Sequence, residues 1–265
     1  MRLSWKLGQV SGIDLCLHPS ALLFFFLVSG MSTTLLGTIA IVVALFGSIV
    51  LHELGHALMA RRYGIGTADI TLYLFGGVAR LERMPRSAGP ELLIALAGPA
   101  VNFAIVLGLL IVLVLANSLG LPPLEFLQFV LGMNLVLGVF NLLPVFPMDG
   151  GRVLRALLSG PLGRLRATEV AALLGRVIAV AGGVYFLTQG NFQGLQALVL
   201  AIFVYMAGSI ELRQVRGEGR PAGTPPGFID VPPPPAGFRW ADRGDGIWRL
   251  VPIMVHVGSP SRSWN

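Results

Sequence analysis

From Leu92 to Leu124 the chain carries no charged residue, and the stretch from Leu35 to Leu51 is equally free of charge. Runs of this kind match the about 20 apolar residues that carry a helix across the hydrocarbon core of a bilayer. Lipid offers no partner to a backbone N–H or C=O, so a helix is the form such segments can take there. Six segments qualify as candidate spans: residues 19–28, which are short and have a weaker lead-in from Ile13, then 35–60, 91–116, 124–143, 170–187 and 195–210. Composition agrees. Only 12% of residues are charged and 54% are hydrophobic, where soluble domains average about 25% charged. A disordered chain and a basic nucleic-acid-binding domain are excluded, and a water-soluble globule is disfavoured. The single cysteine, Cys16, excludes an intramolecular disulfide and a multi-cysteine metal site.

The net charge of +6 is a topology signal. Arg2 and Lys6 precede the first span, and Arg61, Arg62, Arg80, Arg83 and Arg86 lie between the second and third. Arg152, Arg155, Arg164 and Arg166 lie between the fourth and fifth, and Arg213, Arg216 and Arg220 follow the sixth. With six spans all of these fall on one side, and the opposite loops carry no Lys or Arg. The positive-inside rule then predicts a multi-pass protein of the cell membrane with cytoplasmic termini. A cleaved signal peptide at the start is the competing reading. Arg176 sits inside the fifth span, and is expected to snorkel or to mark a later helix start. Residues 1–214 form the membrane domain. Residues 215–265 begin as a Pro-rich cytoplasmic linker, with the run Pro232 to Pro235, and end in a segment readable as a strand pair or a surface-binding stretch.

The second span ends in His52-Glu53-Leu54-Gly55-His56. Histidines four apart share a helix face, so both imidazoles can reach one Zn²⁺, and the adjacent glutamate can act as general base on a metal-bound water. The bland alternative is a chance pair of helix histidines. Ionisable groups in a spanning helix are costly unless paired or liganded, which favours the metal reading. A catalytic zinc site usually has three protein ligands. The other histidines are His18 and His256, and the acids near the membrane are Glu91, Glu125, Glu169 and Asp149. Asp149 follows Pro144 and Pro147, which break the fourth span, and precedes Gly150-Gly151, which permit a tight turn. It can be the third ligand, or a loop acid at the surface paired with Arg152.

His52 to His56 in an early span, together with Asn141-Leu-Leu-Pro-Val-Phe-Pro-Met-Asp-Gly-Gly-Arg152, resembles the site-2 protease family of intramembrane zinc metalloproteases, nearest to its compact six-span bacterial and archaeal group. Gly12 to His18, Leu74 to Ala79, and Ala95 to Pro99 with Asn102 extend the resemblance over about residues 8–160. It implies His52, His56 and Asp149 as ligands of one zinc ion and Glu53 as the catalytic glutamate. Met148 stands where leucine is more common. Asn141 would support the scissile carbonyl or an extended substrate, or else pack between helices. The flanks of Gly76-Gly77-Val78, residues 70–75 and 78–81, read as short strands around a glycine turn. In the family this region is a membrane-associated hairpin, which implies that Gly76, Gly77 and Val78 bind substrate as an added strand or form a structural loop. His18 is read as structural.

The fold expected is therefore an all-α polytopic membrane protein of about six transmembrane helices, with a short β-hairpin between helices 2 and 3 and a short cytoplasmic tail. The tail is too short for the paired nucleotide-sensing CBS domains that often follow the last span in this group. The function implied is hydrolysis of a peptide bond within or near the transmembrane segment of a single-span substrate, such as an anti-sigma factor or tethered regulator. The partners are that substrate and the bilayer, with no nucleic acid. The competing classes are a transporter and an inactive scaffold with a structural metal. Counting back from Arg61-Arg62 at about 1.5 Å per residue sets the site about 10 to 15 Å below the cytoplasmic surface.

Overall fold

The computed structural model describes residues 4–28, 30, 34–74, 76–83, 85, 87–122, 124–188, 192–218, 235, 238–242 and 248–252. Arg2, Arg86, Arg220, His256 and Pro232 to Pro234 lie outside the described residues. The chain divides into two compact units, Met1–Arg213 and Gln214–Asn265. In chain order the elements are β1 (Trp5–Val10), β2 (Ile13–Leu17), a 3-10 turn (Pro19–Ala21), α1 (Leu22–Val28), α2 (Leu35–Arg62), β3 (Thr67–Tyr73), β4 (Gly76–Leu81), α3 (Ala88–Ser118), α4 (Glu125–Asn141), α5 (Asp149–Leu162), α6 (Arg164–Thr188), α7 (Phe192–Glu218), β5 (Phe238–Asp242) and β6 (Trp248–Pro252).

Among the described residues, three helices are long and apolar enough to cross a membrane: Leu35–Arg62, Ala88–Ser118 and Arg164–Tyr185. Glu125–Asn141 is a shorter apolar helix. α1 has 7 residues, which at 1.5 Å each reach about 10 Å, a third of the hydrocarbon thickness. The lead-in from Ile13 expected for the first span is strand β2. Its alternation, Ile-Asp-Leu-Cys-Leu, satisfies the two-residue period of a half-buried strand.

The sheet is larger than one hairpin, so the all-α description needs correcting. Its order is β1-β2-β3-β4. β1 and β2 form an antiparallel hairpin, β2 pairs in parallel with β3 from Asp14↔Asp69 to Leu17↔Leu72, and β3 pairs antiparallel with β4. A hairpin is present between α2 and α3, but Gly76 and Gly77 belong to β4, paired with Tyr73 and Leu72, rather than to a turn between the strands; Gly76 has φ 139°, a conformation that favours glycine. The sheet packs on α2: Ile13 and Ile70 bury against Ala57, with Leu15, Leu54 and Ala79 around them. In the second unit β5 and β6 pair antiparallel.

α2 is polar inside and apolar outside. Its buried side carries Thr38, Ser48, His52 and His56, while Leu35, Leu36, Ile39 and Val43 are exposed. Thr34 caps the helix, its Oγ1 accepting the Gly37 N–H at 3.1 Å, and Arg61 and Arg62 occupy the last turn, where the carbonyl ends favour cations. α3 crosses α2 closely at Gly55, where a Cβ would stand 2.7 Å from the Ala97 carbonyl oxygen. Small residues at crossings let membrane helices approach. α5 was not among the expected spans: it carries Arg152 and Arg155 and only 14 residues.

Arg155 is fully buried. Its Nε donates to Glu91 Oε1 at 2.6 Å, its Nη1 pairs with Glu211, and its guanidinium lies 5.2 Å from the Phe146 ring centroid. This cluster ties α3 and α7 to α5 and pins the segment that leads into it. Arg176 does not mark a helix start, because α6 begins at Arg164. It lies within α6, over the Tyr205 ring at 5.0 Å, and donates to Ser209 Oγ at 3.1 Å, so it joins α6 to α7.

Removing one partner of a buried ion pair leaves an uncompensated charge, at a cost of about 3–5 kcal/mol. Arg155→Met is therefore expected to lower stability by that order in a detergent unfolding titration. Arg213→Met, at an exposed position, is expected to change it little.

Candidate metal centre

His52 and His56 stand one turn apart on the buried side of α2, and Asp149 opens α5 beside them. His56 Nε2 is 3.1 Å from His52 Nε2 and 3.0 Å from Asp149 Oδ2, and His52 Nε2 is 3.2 Å from the same oxygen. All three residues are buried. The structure thus brings the three predicted ligands to one point. Ligands held tetrahedrally at about 2.0–2.1 Å from zinc stand about 3.3 Å apart, close to the edges of this triangle.

Protonation gives a second test of fit. His56 Nδ1 lies 2.7 Å from the Ile94 carbonyl oxygen, which can only accept, so the proton is on Nδ1 and the lone pair on Nε2. His52 Nδ1 lies 2.6 Å from Asn102 Oδ1 and donates to it in this orientation of the carboxamide. With both imidazoles neutral, both Nε2 atoms and the carboxylate oxygen are acceptors facing one another. A cation is the group that turns this repulsion into attraction, and two neutral imidazoles with a carboxylate suit zinc.

The backbone explains how Asp149 arrives. α4 stops at Asn141, and the segment folds back through Val145 N–H to Leu143 O at 2.7 Å and Met148 N–H to Val145 O at 3.0 Å. Phe146 and Val145 are buried. Gly150 and Gly151 are not a turn, as the sequence suggested: both lie in α5. Their lack of a side chain matters because a Cβ on Gly150 would overlap the Leu142 and Leu143 carbonyls, and one on Gly151 would stand 2.8 Å from Phe146 N. The returning segment rests directly on the helix start. Asp149 is therefore buried against the histidines rather than set on the surface. Glu91, another acid considered from sequence, is held by Arg155.

Glu53 lies next to this triangle in the chain, and its Oε2 accepts the Ala79 N–H of β4 at 3.1 Å. β4 passes so close that a Cβ on Gly77 would sit 2.8 Å from both Glu53 Cγ and Ile49 Cγ2. Gly76 and Gly77 are partly buried, and Val78 is exposed. Asn141 donates to its own helix, to Leu137 O at 3.0 Å. His18 Nδ1 bonds Ser20 Oγ at 2.8 Å and accepts the Ser20 N–H at 3.2 Å, so it caps the 3-10 turn, with its ring against Tyr73.

The sequence reading missed Asn134 and Ser48. Asn102 donates to Asn134 Oδ1 at 2.9 Å, and Asn134 donates to Ser48 Oγ at 3.0 Å. Two signals were present: a mid-helix carboxamide among Leu, Val, Gly and Met in α4, and a hydroxyl one turn before His52.

A family model described as peptidase family M50 matches residues 40–122 and 116–182. A zinc metalloprotease of Methanocaldococcus jannaschii is 38% identical over 222 residues, covering 82% of this chain and 63% of that protein. The Mycobacterium tuberculosis protein Rip3, which carries a provisional zinc-metalloprotease name, is 31% identical over 98% of this chain and 72% of its own length. The solved structure of a site-2 protease from Methanocaldococcus jannaschii superposes with a TM-score of 0.58 at 36% identity, covering 79% of this chain and 95% of that one. The chain thus spans somewhat under two thirds of the length of the first of these relatives.

Gly98 of α3 lies over the site, where an added Cβ would overlap the His56 imidazole and stand 2.8 Å from His52 Cε1. Gly98→Ala is expected to weaken divalent-metal binding at least ten-fold in a chelator competition, whereas Gly108→Ala, which meets open space on the same helix, is expected to leave it unchanged.

Proposed function

The chain belongs to peptidase family M50, and from that premise we propose that it is an intramembrane zinc metalloprotease. The observation that carries the reading is the buried triangle of His52 Nε2, His56 Nε2 and Asp149 Oδ2, three acceptors 3.0–3.2 Å apart among apolar helices of spanning length. The zinc-metalloprotease names of the relatives and the site-2 protease likeness support it.

In this reading His52, His56 and Asp149 hold the zinc ion. When bound, zinc supplies a Lewis acid that polarises a carbonyl and lowers the pKa of water. Glu53 is the general base: it takes the proton from the attacking water and passes it to the leaving amine. Asn102 and the Ile94 carbonyl keep the two imidazoles oriented, as outer partners of metal-bound histidines do. To reach Glu53, a peptide must be extended rather than helical. β4 is the strand beside Glu53, with Gly76, Gly77 and Val78 at its start, and it is the edge on which a substrate strand adds. Asn141 spends one amide N–H on Leu137 O and keeps a second N–H and its Oδ1 for a substrate.

The substrate class is what the family likeness implies. A site among spanning helices acts on a membrane-tethered protein with one span that unwinds near the cytoplasmic side, such as an anti-sigma factor or tethered regulator. Six spans, a cell-membrane location and cytoplasmic termini are part of the same proposal and rest on the one-sided Lys and Arg pattern. So is the division into a protease domain, residues 1–214, and a cytoplasmic tail, residues 215–265.

The test uses purified protein and a single-span substrate in detergent. Chelation is expected to stop cleavage and zinc to restore it. Glu53→Gln is expected to keep one zinc per chain while kcat falls about 10²–10⁴-fold, the usual contribution of a general base. Full cleavage by that variant, or cleavage indifferent to chelation, refutes the mechanism.

A further inference from the structure

We propose that Asn134 is a positioning residue that fixes the tautomer of His52, and that it does so by relaying the polarity of a single backbone carbonyl. The proposal rests on the reading of His52 as a metal ligand and adds what keeps it one.

A carboxamide can face either way, so no single amide contact decides which end is nitrogen. A backbone carbonyl has no such freedom. The Val130 oxygen, one turn earlier on α4, lies 2.9 Å from the Asn134 amide and can only accept. Asn134 must present Nδ2 there, and the same nitrogen reaches Ser48 Oγ at 3.0 Å. Its Oδ1 is thereby turned to Asn102, 2.9 Å away, which must answer with Nδ2. Asn102 is left with Oδ1 toward His52 Nδ1 at 2.6 Å, and Nδ1 must carry the proton. Each link has one allowed direction, and the chain ends with the His52 Nε2 lone pair aimed into the site.

Both carboxamides are fully buried, so bulk water offers neither an alternative partner. The relay crosses three helices, α4 to α3 to α2, and adds no charge to a membrane interior where charge is costly. Without the acceptor at Asn134, Asn102 is free to turn its nitrogen toward His52. The imidazole then accepts at Nδ1, carries its proton on Nε2, and cannot ligate a metal in that state. The competing account is that Asn134 is polar glue between helices, which predicts lost stability with metal affinity intact.

Two substitutions separate these accounts. Asn134→Leu removes the acceptor and keeps the branching of the side chain, though leucine is the larger residue. Asn134→Asp, protonated in this apolar setting, keeps a carbonyl oxygen toward Asn102 and an O–H toward Val130. Zinc affinity of metal-stripped protein is read by competition with a chromophoric chelator, with thermal unfolding measured alongside. The His52 tautomer is read directly from ¹⁵N-histidine NMR spectra of the same metal-free protein. Asn134→Leu is expected to weaken zinc binding about 10–100-fold, the range for loss of an outer partner of a metal histidine, and to show His52 in mixed tautomers. Asn134→Asp is expected to bind within a few-fold of wild type. If Asn134→Leu does not fold, Asn134→Ala takes its place against the same Asp variant.

Unchanged affinity in the apolar variant overturns the relay, as does an equal loss in both variants. If wild type itself binds no zinc, the metal reading falls, and this proposal falls with it. If wild type binds zinc and only the Asn134 comparison fails, the metal reading stands without the relay.

Discussion

A hydrocarbon surround gives no shelter to an unpaired polar group, and the arrangement of this protein follows from that constraint. The long helices bury their few polar residues and expose leucine and valine. Most of these buried side chains meet a specific partner. Ser48, Asn102 and Asn134 answer one another, Arg155 is answered by Glu91 and Glu211, and His56 by the Ile94 carbonyl. In a soluble protein such groups could be rescued by water. Here each link is a commitment of one helix to another, so the same contacts that satisfy the polar groups also set the helix positions.

Three atoms are matched differently. With both imidazoles neutral, His52 Nε2, His56 Nε2 and Asp149 Oδ2 face one another as acceptors, an arrangement that a shared cation stabilises. The structure concentrates its tightest packing around them. Gly55 lets α3 approach α2, Gly98 leaves room for the imidazoles, and Gly150 and Gly151 let the returning segment press on α5. A site built of mutually repelling lone pairs keeps its shape only if the scaffold holds it, and small residues at the crossings allow backbone, rather than mobile side chains, to do so.

What could be read in the sequence was what is local. His52, Glu53 and His56 lie within two turns of one helix, so their spacing alone predicts a shared face. The hairpin of β3 and β4 was legible for the same reason: its strands are neighbours in the chain. Asp149 was only favoured by spacing, because its arrival depends on how the segment after Asn141 folds back. The parallel pairing of β2 with β3 joins segments some 55 positions apart, as Asp14↔Asp69 shows, and no local pattern encodes it. The N-terminal strands were also hidden by method: a window wide enough to find a span averages out the alternation of five residues. α5 escaped because its arginines made it read as a loop. They are what let it lie among the helices, with Arg155 neutralised from both sides.

The contact between Glu53 and the Ala79 N–H links the sheet to the chemistry. A strand normally spends its backbone N–H groups on another strand, yet this one is spent on the side chain proposed as general base. The bond leaves Glu53 ordered beside the metal triangle with its charge solvated by a backbone dipole, which offsets part of the cost of holding a carboxylate at membrane depth. It also makes the carboxylate and the strand interdependent. A peptide that pairs with β4 at Ala79 competes for the same N–H and changes what holds Glu53. Gly77 enforces the closeness, since any side chain there would push the strand off α2. Through β4 the sheet, which begins with an N-terminal hairpin tethered at the Ser11 carbonyl by Arg61, forms one wall of the candidate site.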